Sequence, residues 1–230
     1  MTNDQREHSS FSPNKEIIKN LQPVSEQYVI WQWALGEARS SKWERRNVAL
    51  SPALREKLKT VPADSAEEQF DLEDQQTIVD AFLSDPARAP VAKIRALRCS
   101  WYKGVMPVKD IEDCYMVMWP LSEQLAPSGR LVEYTKAFKE NRFPPGTEFD
   151  RDNTQRLYQS FDISQMIGAP ILLSQTTNPP YCAIDGITRL CVINLRTQEG
   201  TLVIPEVPVI LGISPNIFEW GQIPRQMQRV

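Results

Sequence analysis

Residues 181–190 read Tyr-Cys-Ala-Ile-Asp-Gly-Ile-Thr-Arg-Leu, and this stretch contains two different patterns. Its first four residues are mostly apolar and predict a short buried strand, whereas the residues after Gly186 have the apolar spacing of a helix. An Asp-Gly pair stands between the two patterns. The sequence therefore predicts a strand over 181–184 and a helix that starts within about two residues of Gly186.

The same turn has the composition of an anion site, most naturally for phosphate. Asp185 can cap the helix, Gly186 removes a side chain where a ligand would meet the backbone, and Thr188 lies in the first turn. The first N–H groups of a helix lack intrahelical partners and the dipole is positive there, so Arg189 would add a planar charge to a favourable place. The alternative is a well-capped turn in which Arg189 reaches a neighbouring carboxylate.

The segments after residue 93 alternate between predicted strands and predicted helices, which is typical of an α/β (α+β) fold. The strands are predicted over 94–101, 170–173, 181–184 and 207–211, and the helices over 131–138, over 153–161 and from Gly186 onward. Asp152 or Asn153 is the predicted cap of the helix over 153–161. The sequence thus predicts one α/β domain over 94–230.

The first 93 residues do not show this alternation of predicted strands and helices. Residues 1–24 are polar and predict a disordered tail, and residues 25–93 predict a helical N-terminal region. Ser51 followed by proline predicts a helix start, and four apolar residues within 78–83 form one helical stripe. The fold is therefore expected to be an α/β core with a helical extension.

Charge and tryptophan are unevenly distributed in this extension. Residues 37–59 hold seven basic and three acidic side chains, whereas residues 64–85 hold eight acidic side chains and no basic one. This pattern fits an anion-binding arm masked by an acidic helix, or two solvated helix faces that attract each other. Trp31, Trp33 and Trp43 could stack on a base, or form the core of the region.

Composition excludes several classes of protein. The chain has 230 residues, 41% of them hydrophobic, and a formal net charge of −3, which does not suit a surface built to neutralise phosphates throughout. The single histidine, His8, argues against a Ser-His-Asp site and against a zinc site that needs imidazole. The four cysteines form no Cys-x-x-Cys pair and are expected to be reduced, mostly buried thiols. The start is polar and no apolar run is long enough to span a membrane, so a cytoplasmic location is expected.

Several motifs accompany the opening stretch in a fixed order. They are a connector at Val105–Ile111, a helix at Leu157–Phe161 that leads to Gly168, the strand Pro170–Leu173, the turn Ile184-Asp185-Gly186 with Arg189, the strand Val207–Val209, and the segment Leu211–Pro215. In this order and spacing, residues 100–215 resemble the ParB/sulfiredoxin-like superfamily.

The resemblance implies a nucleotide-binding core whose helix start after Gly186 holds the phosphates. The superfamily includes CTP-dependent partition proteins, ATP-dependent sulfiredoxins and a free-serine kinase, and the motif form here is closest to the kinase branch. Ile187 stands where sulfiredoxins carry their catalytic cysteine, and Thr188 stands where a histidine would contact phosphate. Only 15 residues follow Pro215, too few for the helix-turn-helix tract of a partition protein.

The function that the resemblance implies is nucleotide binding, with ATP or ADP and Mg²⁺ used to phosphorylate the hydroxyl of a small metabolite. A non-enzymatic, nucleotide-gated module that binds a protein or nucleic acid is the alternative, and a scaffold without ligand is a third. Phosphoryl transfer needs a carboxylate that holds Mg²⁺ or accepts a proton, and Glu148, Asp150 and Asp152 are candidates because their helix borders the same pocket by resemblance. They could equally be solvated loop carboxylates. The metal ligands remain unassigned.

Overall fold

A computed structural model shows how these segments pack. The residues that it describes are 18–38, 50–61, 66–85, 89–119, 122–146, 148–163, 166 and 168–229. They form a six-stranded mixed sheet with helices on both faces, which confirms the α/β fold class.

The two longest strands, each of eight residues, are neighbours in the sheet and pair with each other. The strands are β1 (Lys19–Val24), β2 (Ser100–Pro107), β3 (Tyr115–Met116), β4 (Ile171–Ser174), β5 (Cys182–Asp185) and β6 (Glu206–Ile213). Their order across the sheet is β1-β2-β6-β4-β5-β3. The pairs β4/β6 and β3/β5 are parallel, and the other three pairs are antiparallel.

Nine α-helices lie within the described residues. They are α1 (Glu26–Ala38), α2 (Pro52–Thr60), α3 (Ala66–Gln69), α4 (Leu72–Ser84), α5 (Ala89–Ala96), α6 (Ser122–Leu125), α7 (Leu131–Lys139), α8 (Glu148–Ser160) and α9 (Ile187–Gln198). Short 3₁₀ helices follow β2 at Val108–Asp113 and β6 at Ile217–Glu219, and another covers Arg225–Arg229. None of the helices in these ranges is long and apolar enough to cross a membrane.

Alternate strand residues face two separate apolar clusters, as the period of a strand requires. Ile171 and Leu173 of β4 belong to the cluster that also contains the buried residues of α1, α2 and α4. Leu172 points to the opposite cluster, with α7 and α9. The N-terminal helices therefore share a core with one face of the sheet.

The tryptophans of α1 belong to this shared core. Trp31 contacts Phe70 and Trp33 contacts Phe82, each with ring centroids 5.7 Å apart, and both indoles are buried. The core interpretation is confirmed for these two residues. Trp43 lies outside the described residues.

The two charged segments meet at an ion pair between Lys57 of α2 and Asp74 of α4. The Lys57 ammonium also lies 4.9 Å from the ring centre of Phe70. Both charged side chains remain partly exposed. The pair fits the interpretation of two solvated helix faces that attract each other.

The predicted disordered tail is wrong for its last six residues. Lys19–Val24 form edge strand β1, in which Val24 pairs with Trp101 of β2. Most side chains of β1 are exposed, so backbone pairing with β2 holds the strand together with the partly buried Leu21 and Val24. Residues 1–17 lie outside the described part of the chain.

Two boundaries in the α/β part also differ from the prediction. The predicted strand over 94–101 is the end of α5 followed by β2, because the buried residues Val91, Ile94 and Leu97 are three apart and form a helical stripe. The helix predicted over 153–161 is α8, which begins five residues earlier at Glu148. Asp152 and Asn153 are therefore inside the helix and do not cap it.

Candidate functional site

The strand-to-helix turn forms as the sequence predicts. β5 ends at Asp185, Gly186 is the N-cap residue with φ 76°, and α9 begins at Ile187. The carbonyl of Gly186 accepts the first helical hydrogen bond from the N–H of Leu190 at 2.9 Å. The predicted helix start within two residues of Gly186 is confirmed.

Glycine is required at this cap for two reasons. The left-handed backbone of Gly186 disfavours a side chain, because a Cβ would approach the carbonyl oxygen. A Cβ at this position would also lie 2.9 Å from Cα and from Cβ of Pro170. The turn therefore sits directly against the residue that precedes β4.

Arg189 is held by two acceptors within the chain. Its Nη2 donates to Oδ2 of Asp185 at 2.6 Å, and its Nη1 donates to the carbonyl oxygen of Gly168. The Arg189 and Asp185 side chains are only 16% and 14% exposed. The prediction that Asp185 caps α9 is wrong, because the N-cap is Gly186 and the Asp185 carboxylate pairs with Arg189.

Gly168 connects this turn to the N-terminal helices. Its φ is +71°, and a Cβ there would lie 2.8 Å from the carbonyl oxygen of Gln32 and 3.0 Å from Cα of Gly36. The same Cβ would lie 3.2 Å from Nη1 of Arg189. The start of α9, the approach to β4 and the middle of α1 thus meet at Gly168.

The four candidate phosphate-binding residues are therefore brought together. Asp185, Gly186, Thr188 and Arg189 are all partly buried around the first turn of α9. The helix dipole and the first-turn N–H groups favour an anion, and so does the Arg189 guanidinium. The Asp185 carboxylate opposes this preference, because its negative charge lies against that guanidinium.

The acidic candidates are not brought to this turn by the described contacts. Asp152 is 61% exposed in its side chain and pairs with the adjacent Arg151 at 3.0 Å. The side chains of Glu148 and Asp150 lie outside the described residues. Among the side chains that the structure describes, no group of three His, Cys, Asp or Glu could hold a metal ion.

Helix α8 contacts α9 near the carboxyl end of both helices. Tyr158 donates to Oε2 of Glu199 at 2.6 Å, and Arg196 donates to the carbonyl oxygen of Phe161 at 2.8 Å. Arg196 is ten residues after Gly186, which corresponds to roughly 15 Å along a helix. These contacts therefore do not join Asp152 to Arg189.

Sequence reasoning missed the Gly168 carbonyl as a partner of Arg189. The two residues are 21 positions apart. A backbone acceptor has no signature of its own in a sequence, because every residue carries a carbonyl. The one sequence feature that marks this position is Gly168 itself. In the superfamily motifs it appears only as the residue to which a helical segment leads.

The thiols near the site are deeply buried. Cys182 lies in β5 and Cys191 in α9, and neither is exposed to solvent. Burial raises the pKa of Cys191 to about 12 and the pKa of Cys182 well above its ordinary value. Both thiols therefore stay protonated at neutral pH, as expected for buried free cysteines.

Comparison with known proteins finds no family model, curated protein or solved structure that matches this chain. The resemblance to the ParB/sulfiredoxin-like superfamily accordingly rests on the motifs quoted above. Among them, the turn around Gly186 forms as predicted, and so do the strand that begins near Pro170 and the strand that contains Val207–Val209.

Proposed function

We propose that this chain binds a nucleoside di- or triphosphate through its phosphate groups at the start of α9. The observation that carries the proposal is the Gly186 turn, where a buried strand ends, a helix begins and a partly buried arginine lies one turn further on. Oriented N–H donors, the helix dipole and a guanidinium all favour an anion at one place.

Catalysis is a further step of this proposal. In the version that the resemblance implies, the bound ATP or ADP would phosphorylate the hydroxyl of a small metabolite. Mg²⁺ would neutralise charge on the phosphates when bound, and the chain's own part would be to orient them against α9. The buried free thiols suit the reducing cytoplasm as the location.

A non-enzymatic, nucleotide-gated module is the second candidate, and a specific contact favours it. Arg189 donates to Gly168, and Gly168 lies against Gln32 and Gly36 of α1. A ligand that moved Arg189 would therefore act on the packing of the N-terminal helices. Such a change could control a protein or nucleic-acid partner without any chemistry on the nucleotide.

A thermal-shift panel of ADP, ATP, CTP and GTP with Mg²⁺ tests the shared step of both candidates. A nucleotide that binds the folded chain raises Tm in a concentration-dependent way. Turnover of labelled nucleotide, with and without small hydroxyl compounds, then separates the enzyme from the gated module. An unchanged Tm with every nucleotide would leave the scaffold interpretation.

Arg189→Ala provides the site-directed test. A hydrogen bond to a charged group contributes on the order of 1.5–3 kcal/mol, so we expect binding to weaken roughly 10- to 150-fold. Arg189→Lys should recover part of this, because lysine keeps the charge but cannot make a planar bidentate contact. Arg130→Ala is the matched control, because Arg130 pairs with Asp113 and lies outside the turn.

Melting temperature must be measured on the same samples. Loss of Arg189 also leaves the Asp185 carboxylate without its arginine partner, so a lower Tm is expected in every case. A lower Tm with unchanged affinity in the folded fraction would show that Arg189 is only structural.

A further inference from the structure

The carboxylate of Asp185 accepts a hydrogen bond from the Arg189 guanidinium, the group that an incoming phosphate would contact. The Nη2–Oδ2 distance is 2.6 Å, and solvent reaches only 14% of the Asp185 side chain and 16% of the Arg189 side chain. Shielding of this kind keeps the electrostatic interaction strong compared with that of an exposed pair. The position of Asp185 is fixed, since it is the last residue of β5 and is followed at once by the Gly186 cap.

We propose that Asp185 is an internal competitor that holds the anion site in a low-affinity state. This inference rests on the proposed function, because it concerns the affinity of the same turn for nucleotide phosphates. Asp185 acts in two ways, since its carboxylate takes a donor of Arg189 and its negative charge repels a phosphate that approaches α9.

The competition has a defined consequence for the packing around the turn. Arg189 bridges Asp185 and the carbonyl of Gly168, so a phosphate that draws the guanidinium away from Asp185 must also strain or break the contact with Gly168. A phosphate that takes the two donors now used by Asp185 and Gly168 therefore binds at the cost of both internal hydrogen bonds. Removal of the Asp185 charge should lower this cost and raise affinity.

Asp185→Asn isolates the charge, because asparagine has nearly the same shape and keeps an oxygen that accepts from Arg189. We expect Asp185→Asn to bind Mg²⁺-ATP and Mg²⁺-ADP roughly ten- to a hundredfold more tightly than the parent, by the strength of a charge-assisted hydrogen bond. The measurement is isothermal titration calorimetry on the full chain. Tripolyphosphate, titrated in the same way, shows whether the gain lies in the phosphate contacts alone.

Asp113→Asn is the matched control. Asp113 pairs with Arg130 at 3.0 Å, as Asp185 pairs with Arg189, but it precedes the start of β3, whereas Gly186 follows the end of β5, the parallel neighbour of β3. The control removes the same charge from the chain and should leave affinity unchanged. An equal gain in both variants would mean that net charge, and not the internal pair, sets the affinity.

The outcomes separate this inference from the proposed function. If the parent binds nucleotide and Asp185→Asn binds equally or more weakly, Asp185 is not a competitor and the inference is overturned while nucleotide binding stands. If Asp185→Asn binds and the parent does not, the inference is supported and the proposed function of the parent chain fails. If neither chain binds any nucleotide or tripolyphosphate while both remain folded, the proposed function and the inference fail together.

Discussion

At the residue scale, the buried thiols couple the stability of the chain to alkaline pH. Burial raises the pKa of Cys114 and of Cys191 to about 12, from an ordinary value of 9.0. Between these values the unfolded chain releases thiol protons that the folded chain keeps. The free energy of unfolding should therefore be unaffected by these thiols below pH 9 and should fall as pH rises toward 12.

We expect the free energy of unfolding to fall by about 1 kcal/mol per thiol for each pH unit above 9. Urea unfolding at pH 8 and at pH 10 measures the difference for the parent and for Cys191→Ala. The variant should lose less stability between the two pH values, whatever its stability at pH 8. An equal loss in both proteins would contradict the assignment of a raised pKa to this thiol.

Arg189 shows, also at the residue scale, why one motif supports two interpretations. The sequence predicts for Arg189 either a phosphate contact or a contact with a neighbouring carboxylate. The structure contains the second arrangement, with Asp185 as the carboxylate. The two interpretations are compatible, because the same guanidinium can exchange an internal partner for an external one at an energetic cost.

At the element scale, the junction between β5 and α9 depends on one glycine, and a matched pair of substitutions tests this. Gly186 and Gly200 have similar positive φ values of 76° and 69°, but a Cβ at Gly200 would meet no atom within 4 Å. Gly200→Ala should therefore cost only the backbone strain, about 1 kcal/mol. Gly186→Ala should cost about 1–3 kcal/mol more, because Pro170 must move away.

Urea unfolding of both variants at one pH measures this difference. A second readout is the thermal shift with nucleotide, which Gly200→Ala should retain. Equal destabilisation by the two substitutions would mean that the contact with Pro170 relaxes freely, and the turn would then not be fixed by packing.

Some elements could be predicted because their signals are local. The junction at Gly186 combines an apolar run, an Asp-Gly pair and a helical stripe within ten residues, and both elements form there. The start of α2 is equally local, because Ser51 accepts a hydrogen bond from the N–H of Leu54 and proline follows it. In such cases the nearest neighbours in sequence are also the partners in space.

Other elements escaped prediction because their partners are distant. β1 has mostly exposed side chains and exists through pairing with β2, about 80 residues later in the chain. The strand predicted over 94–101 is wrong because the segment contains the end of a helix and the start of a strand, and the apolar spacings of the two are alike over a few residues. The hydrogen bond from Arg189 to the carbonyl of Gly168 also joins residues that are distant in sequence.

At the scale of the whole molecule, the sequence predicts a helical N-terminal region and an α/β core. In the structure, one apolar cluster contains residues of both. Phe82 of α4 is fully buried and belongs to the same cluster as Ile171 and Leu173 of β4. Trp101 of β2 and Trp220 near the C-terminus lie in that cluster too. A substitution that destabilises α4 should therefore also destabilise the sheet. The same packing would couple the N-terminal helices to the nucleotide in the nucleotide-gated module.

Phe82→Ala tests whether this shared core unfolds as one unit. The loss of a fully buried phenylalanine should cost about 3–5 kcal/mol, whereas Leu72→Ala, at a side chain that is 82% exposed, should stay within about 0.5 kcal/mol. Urea unfolding followed by tryptophan fluorescence and by far-ultraviolet circular dichroism should give one coincident transition for each protein. If Phe82→Ala instead unfolds in two steps, the N-terminal helices form a separate cooperative unit. In that case the contact at Gly168, and not a continuous core, would have to couple nucleotide binding to these helices.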